Sequence, residues 1–154
     1  MRAVVQRVTQ ASVTVEDQVV GEIAEGLMVL VAVRGEDTEQ DMDYIAKKIA
    51  GLRVFSDEAG KMNLSVMDTE GDILVVSQFT LCANYAHGNR PDFLNAAAPN
   101  EANRLYEYFC SLCESEISHV GRGIFGADME LTIVNDGPVT IVMDSNVLLK
   151  KNTQ

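Results

Sequence analysis

Two short apolar runs, Leu27–Val33 and Ile73-Leu74-Val75-Val76, limit the possible folds of this chain more than any other feature. Both fall within the length of a strand, and neither approaches what a bilayer-spanning helix needs. Unbroken aliphatic residues bounded by turn formers describe buried strands. Gly26 introduces the first, and the second extends over Asp72–Gln78.

The remaining segments add strands and helices around these two. Residues 2–15 alternate loosely between apolar and polar and read as a strand, which a turn near Glu16-Asp17 joins to a partner over 18–23. Thr38 is placed to cap a helix whose first turn is acidic, with Met42, Ile45, Ala46, Ile49 and Ala50 at helical spacing and Gly51 as its stop. A strand is expected over Leu52–Phe55, then a turn at Asp57–Gly60. Pro99 suits the first turn of a second helix, whose buried stripe is Leu105, Phe109, Leu112, Cys113 and Ile117. Between 82 and 98 there is no period, and a loop of that length in a small domain usually carries function. Gly121–Gly126 reads as a flexible connector, followed by separate strands at 128–135 and 139–143. The whole is an α+β domain, a mostly antiparallel or mixed sheet core with two inserted helices. One domain is expected over 1–145, with a frayed tail over 146–154.

Composition sets the broad class. Hydrophobic residues make up 47% of the chain, enough for a real core. Arg2 and Arg7 interrupt the apolar N-terminal residues, so no signal-peptide core is formed. Three cysteines, an odd number, fit a reducing compartment, and the expected location is cytoplasmic. The net charge of −11 sets a limit on any nucleic-acid partner. Affinity for RNA comes largely from neutralising phosphates, so composition alone argues against a nucleic-acid partner, and any contact with one must be small.

Several letter patterns lose their force once placed on these elements. Gly121-Arg122-Gly123-Ile124-Phe125-Gly126 spells G-x-G-x-x-G, but it follows a helix and leads into a strand. A phosphate-binding fingerprint needs the reverse order, so that free helix N–H groups meet the anion. Cys110-Ser111-Leu112-Cys113 lies in mid-helix with no second ligand pair, which argues against zinc and redox chemistry. His87 and His119 are the only histidines, and neither completes a catalytic set. No metal or cofactor is expected.

Ser77-Gln78-Phe79-Thr80-Leu81 and Asn135-Asp136-Gly137-Pro138-Val139-Thr140 carry the chemistry. The first lies where a buried strand opens into the long loop, a position that can aim backbone N–H groups at a ligand. Such donors stabilise the oxyanion formed when water attacks an ester, each contributing about 2.7–4 kcal/mol. Without an adjacent base the Thr80 hydroxyl is a weak nucleophile, so the amides of Gln78, Phe79 and Thr80 are favoured over it. The second is a turn signal between strands.

Together with Gln6-Arg7-Val8, Phe55-Ser56-Asp57 and Lys61-Met62-Asn63, these segments resemble the D-aminoacyl-tRNA deacylases over nearly the whole chain. The resemblance implies an enzyme that hydrolyses the ester of D-aminoacyl-tRNA, with glycyl-tRNA also accepted, as chiral proofreading in translation. It implies catalysis around Ser77, Gln78, Phe79 and Thr80. It also implies a homodimer in which Gly137 and Pro138, joined by a cis bond, enter the partner's pocket and point carbonyl oxygens at the substrate ammonium. Arg7 would brace them across the interface, and Phe125, Ala127 and Met129 would wall the pocket. The partner is then the acceptor end of tRNA. His87 and Asp92 depart from the commonest family pattern. A related deacylase with a trans Gly-Pro bond acts on L-alanyl-tRNA, and the Gln6-Arg7 and Asn135–Pro138 context favours the D-specific branch. A non-catalytic nucleic-acid-binding module and a purely structural dimer are the remaining alternatives.

Overall fold

In the computed structural model, which describes residues 1–150, strand β1 (Arg2–Val15) is the spine of the sheet. Along one edge its first half pairs antiparallel with β3 (Gly26–Ala32) and its second half with β2 (Gln18–Ile23). Along the other edge it pairs with β8 (Glu130–Asp144) over almost its full length. Glu16 and Asp17 make the β1–β2 turn with φ of 50° and 64°, the backbone of a two-residue hairpin loop.

Beyond β3 the sheet turns parallel, first to β6 (Asp72–Ser77) and then to β7 (Val120–Arg122). The order β2-β1-β3-β6-β7 curls until its ends meet. A Cβ on Gly21 of β2 would come within 2.5 Å of the Arg122 carbonyl oxygen in β7. This near-barrel explains the two apolar runs. Leu27, Val29, Val31, Ile73 and Val75 face a core under the helices, whereas Met28, Leu74 and Val76 join Val8, Val13 and Ile23 in a second core. Successive side chains go to opposite faces, and both faces are covered.

The outer layer is helical. Helix α1 (Glu39–Gly51) begins at Thr38, whose N–H donates to the Asp41 carboxylate at 2.9 Å. Helix α2 (Pro99–Glu116) starts at its proline and buries Leu105, Tyr106, Phe109, Cys110 and Cys113. A small hairpin of β4 (Phe55–Ser56) and β5 (Met62–Leu64) completes the strands.

Five expectations are corrected. The strand expected at Leu52–Phe55 is reduced to Phe55–Ser56, because Leu52 ends α1 by donating to the Ile49 carbonyl. The connector at 121–126 is ordered, since its first residues belong to β7 and Gly123 N–H donates to Val75 O at 3.1 Å. The two last strands are one strand with a bulge, because β1 is long enough to pair with both halves. A third helix, α3 (Ser145–Lys150), forms where a frayed tail was expected. Buried Ser145 anchors it, donating its N–H to the Met1 carbonyl and its hydroxyl to Asp41 at 2.6 Å. Residues 151–154 of that tail lie outside the described residues. Finally, no cis peptide bond is found among the described residues, so Gly137-Pro138 is trans. Trans is the favoured isomer by about 0.5–1 kcal/mol. The chain reversal comes instead from Gly137, at φ 121°.

Candidate active site

A cleft of about 480 Å³ opens at the C-terminal end of β6. Ser77, Gln78 and Phe79 form one lip, and the segment Phe125–Met129 forms the facing wall. Its floor is made of small residues, Ala96 and Ala97 from the long loop and Ala102 from α2. Asp128 is the one titratable side chain among the residues lining it.

The lip is built by a change of backbone. Ser77 still pairs with Val31 in the parallel ladder, and the Gln78 N–H still donates to Val31 O at 2.7 Å. Phe79–Cys82 then turn into a single 3-10 turn. The leading amides of such a turn have no partner within it. Among the described residues, those of Phe79 and Thr80 find no backbone acceptor elsewhere. The expected set of three donors is therefore corrected to two, because the sheet retains the Gln78 amide. The Gln78 side chain donates to the hydroxyl of Thr80, which is in the turn but not among the residues lining the cleft. Phe79 is 56% exposed and meets the Phe93 ring edge-on, with centroids 5.1 Å apart.

The facing wall is a tight turn. Ala127 N–H donates to Ile124 O at 3.2 Å, and Gly126 takes φ 78°. Gly123 lets this turn approach β6, since a Cβ there would lie 2.6 Å from the Met129 sulfur.

Gly137 and Pro138 do not line this cleft. They belong to the bulge of β8, where Asp136–Val139 stand opposite Arg7 between the pairs Gln6↔Thr140 and Val8↔Asn135. Arg7 binds this bulge within its own chain, because Arg7 and the bulge are neighbours in the β1–β8 ladder. Its Nε donates to Asp136 O at 3.0 Å, its Nη1 to Val54 O at 2.6 Å, and Asp136 Oδ2 lies 3.5 Å from Nε.

The cysteine pair takes no part. Burial pushes the Cys110 thiol up to about 11 and the Cys113 thiol up to about 12, so both stay protonated. His87 is exposed in the long loop, and His119 holds its Nε2 2.9 Å from the Glu22 carbonyl oxygen. Sequence reasoning missed the Ala96, Ala97, Ala102 floor, although the run Ala96-Ala97-Ala98 before Pro99 marked a surface without bulk. It also passed over Asp128, which stands inside the Phe125–Met129 segment.

The family model described as D-Tyr-tRNA(Tyr) deacylase matches residues 4–144. A D-aminoacyl-tRNA deacylase of Bacillus velezensis is 54% identical over 145 residues, covering 94% of this chain and 99% of the relative. The protein of the same name from Bacillus cytotoxicus is 52% identical over the same coverage. Among solved structures, a protein named c-Myc DNA unwinding element binding protein superposes with a TM-score of 0.89 at 44% identity, covering 94% of this chain and 98% of that one. A probable eukaryotic D-amino acid tRNA deacylase shares the fold with a TM-score of 0.81 at 21% identity, covering 93% and 98%.

Proposed function

Because this chain belongs to the D-Tyr-tRNA(Tyr) deacylase family, we propose that it hydrolyses the ester joining a D-amino acid to the terminal adenosine of tRNA. One observation carries the reading: the Phe79 amide stands unpaired at the lip of the cleft, and the unpaired Thr80 amide follows it in the same turn. When water attacks the ester carbonyl, the oxygen becomes an anion, and two fixed donors supply roughly 5–8 kcal/mol at about 2.7–4 each. Neither donor changes orientation during the reaction, since the Gln78–Val31 bond holds the turn to the sheet.

The enzyme acts as a homodimer. Gly137 and Pro138 are exposed and lie outside their own cleft, which leaves them available to a second copy. Inserted there, a carbonyl oxygen of this bulge accepts from the substrate ammonium. The trans Gly137-Pro138 bond is the one feature on the side of the L-alanyl reading, against which stands 52–54% identity to D-aminoacyl-tRNA deacylases. With ammonium and ester carbonyl both held, a D side chain projects outward and an L side chain meets the wall formed by Phe125, Ala127 and Met129. A hydrogen bond to a charged group contributes about 1.5–3 kcal/mol, whereas a tenfold preference for each 1.4 kcal/mol puts strong chiral rejection beyond attraction alone. Steric exclusion therefore supplies the rest. Glycine has no side chain to exclude, so glycyl-tRNA is a substrate as well. The reaction belongs to translation in the cytoplasm.

The attacking water is positioned by the ribose hydroxyl next to the ester. Ser77 and Thr80 have no histidine beside them, and Asp128 is exposed at the rim. No metal is required. A non-catalytic nucleic-acid-binding role has one point of support, the printed name of the 44% identical structure. The net charge of −11 weighs against it.

The test is deacylation of matched D-Tyr-tRNA and L-Tyr-tRNA by the purified protein in the presence of chelator. Loss of the D-ester alone is the expected result. Stable binding of both tRNAs without cleavage of either would move the assignment to the binding role.

A further inference from the structure

On the far side of the 79–82 turn from the cleft lies a second pocket of about 350 Å³, lined by Arg2, Arg34, Glu36, Cys82, Asn84 and Asn95. The same two chain segments separate the pockets. Val33 and Ala97 face the cleft while Arg34 and Asn95 face the pocket, and the segments that carry them are joined by Gly35 N–H to Asn95 O at 3.1 Å and Ala97 N–H to Val33 O at 2.9 Å. Arg2 joins the pocket to the catalytic turn directly, donating from Nη1 to Leu81 O at 2.8 Å.

The electrostatics of the pocket argue against a simple phosphate clamp. Asp144 pairs with both arginines, 2.5 Å from Arg34 Nη2 and 3.5 Å from Arg2 Nε. Glu36 adds a second carboxylate. Two cations against two anions leave little field to attract a phosphate. What remains is a mixed hydrogen-bonding surface: outer guanidinium N–H donors of Arg2, the Asn95 amide with one donor and one acceptor end, and the second carboxylate oxygen of Glu36, whose Oε1 accepts from Asn146 at 3.4 Å. Asn84 is already engaged with Asp92 and serves as wall.

Resting on the deacylase reading above, we propose that this pocket receives the edge of a nucleobase in the single-stranded acceptor end, just before the terminal adenosine. A base edge presents donors and acceptors together, which matches the pocket, and unpaired bases are read in this way by RNA-binding proteins. The site also suits a chain of net charge −11, because hydrogen bonds to a base do not depend on a basic face.

The experiment compares kcat/KM for D-tyrosyl-adenosine with that for D-tyrosine esterified to the trinucleotide CCA, in wild type and in Asn95→Ala and Asn95→Leu. Asn95 uses only its backbone carbonyl in the fold, so both substitutions can be made with melting temperature as a check on folding. Wild type is expected to favour the trinucleotide ester at least tenfold. Each variant should lose about fivefold to tenfold of that preference, the equivalent of one hydrogen bond, with the adenosine ester cleaved as before. The wild-type preference should persist as salt is raised, because a base contact releases no counterion. Equal use of both esters by wild type, or equal losses on both in the variants, would overturn the proposal. A wild-type preference for the trinucleotide ester that is lost as salt rises, with a slope of about −0.7, would assign a phosphate to the pocket and overturn the base reading. Wild type inert toward both esters would remove the deacylase reading itself, a result distinct from the other two.

Discussion

The Arg7 guanidinium lies directly beneath Gly137, so close that a Cβ on that glycine would overlap its Nη2. The same guanidinium holds the Asp136 and Val54 carbonyl oxygens, so one side chain fixes the bulge to the spine and to the start of the small hairpin. Gly137-Pro138 is thereby presented as a rigid projection rather than a loose loop.

Gly137→Ala has two consequences. The methyl group must displace Arg7, and an L-residue must adopt φ 121°, at a cost of about 1–3 kcal/mol. Deacylation of D-Tyr-tRNA should fall at least tenfold, read by single-turnover kinetics beside a urea titration. Wild-type kinetics in this variant would sink the assigned role of the bulge.

Arg7→Lys retains the charge but not the fork. A lysine cannot donate to Asp136 O and Val54 O in the same geometry, so a stability loss of about 1–3 kcal/mol is expected. The urea midpoint reports it, and a midpoint within error of wild type would show that the bulge stands without Arg7.

Thr80 separates side chain from backbone. Thr80→Val removes the hydroxyl that accepts from Gln78 and should keep activity within about threefold, whereas Thr80→Pro removes the amide. Proline is tolerated at the head of a helical turn, and loss of one oxyanion donor costs about 10²–10³ in kcat. Equal effects of the two substitutions would place the chemistry on the hydroxyl instead.

Gly123→Ala tests the wall. A Cβ there would lie 2.6 Å from the Met129 sulfur, and the flexible thioether can swing away toward the cleft. Stability should change by less than about 1.5 kcal/mol while KM for D-Tyr-tRNA rises. An unchanged KM with a large fall in melting temperature would mean that Met129 packs in the core and leaves the cleft alone.

Acid should loosen the α1–α3 junction. Burial raises the carboxyl pKa of Asp41 and Asp144, but hydrogen bonds from Ser145 and Thr38 in one case and from Arg34 and Asn146 in the other outweigh it. Both end below the ordinary 3.8. A depressed carboxylate contributes stability above its unfolded pKa and loses it as pH falls through the folded value. Denaturation midpoints should therefore be flat near neutrality and drop below about pH 4, and Asp41→Asn should flatten that drop. A midpoint independent of pH down to 3 would contradict the assignment.

Local sequence determined a good deal of this molecule. The apolar runs Leu27–Val33 and Ile73–Val76, the Glu16-Asp17 turn, the Thr38 cap and the Pro99 helix start each depend on neighbours a few residues away, and each formed where the sequence placed it. The Ser77–Leu81 and Phe125–Met129 segments were singled out through their resemblance to a known family, and Ser77–Phe79 and Phe125–Met129 face each other across the cleft. Tertiary structure decided the rest. Whether the Gln78 amide is free depends on Val31, on a strand 47 positions away in the chain. The fate of the segment after Asp144 depends on Met1 and Asp41, and the setting of Gly137 depends on Arg7. Such pairs are invisible to periodicity, because a hydrogen bond or close contact between distant segments exists only once the sheet has brought them together.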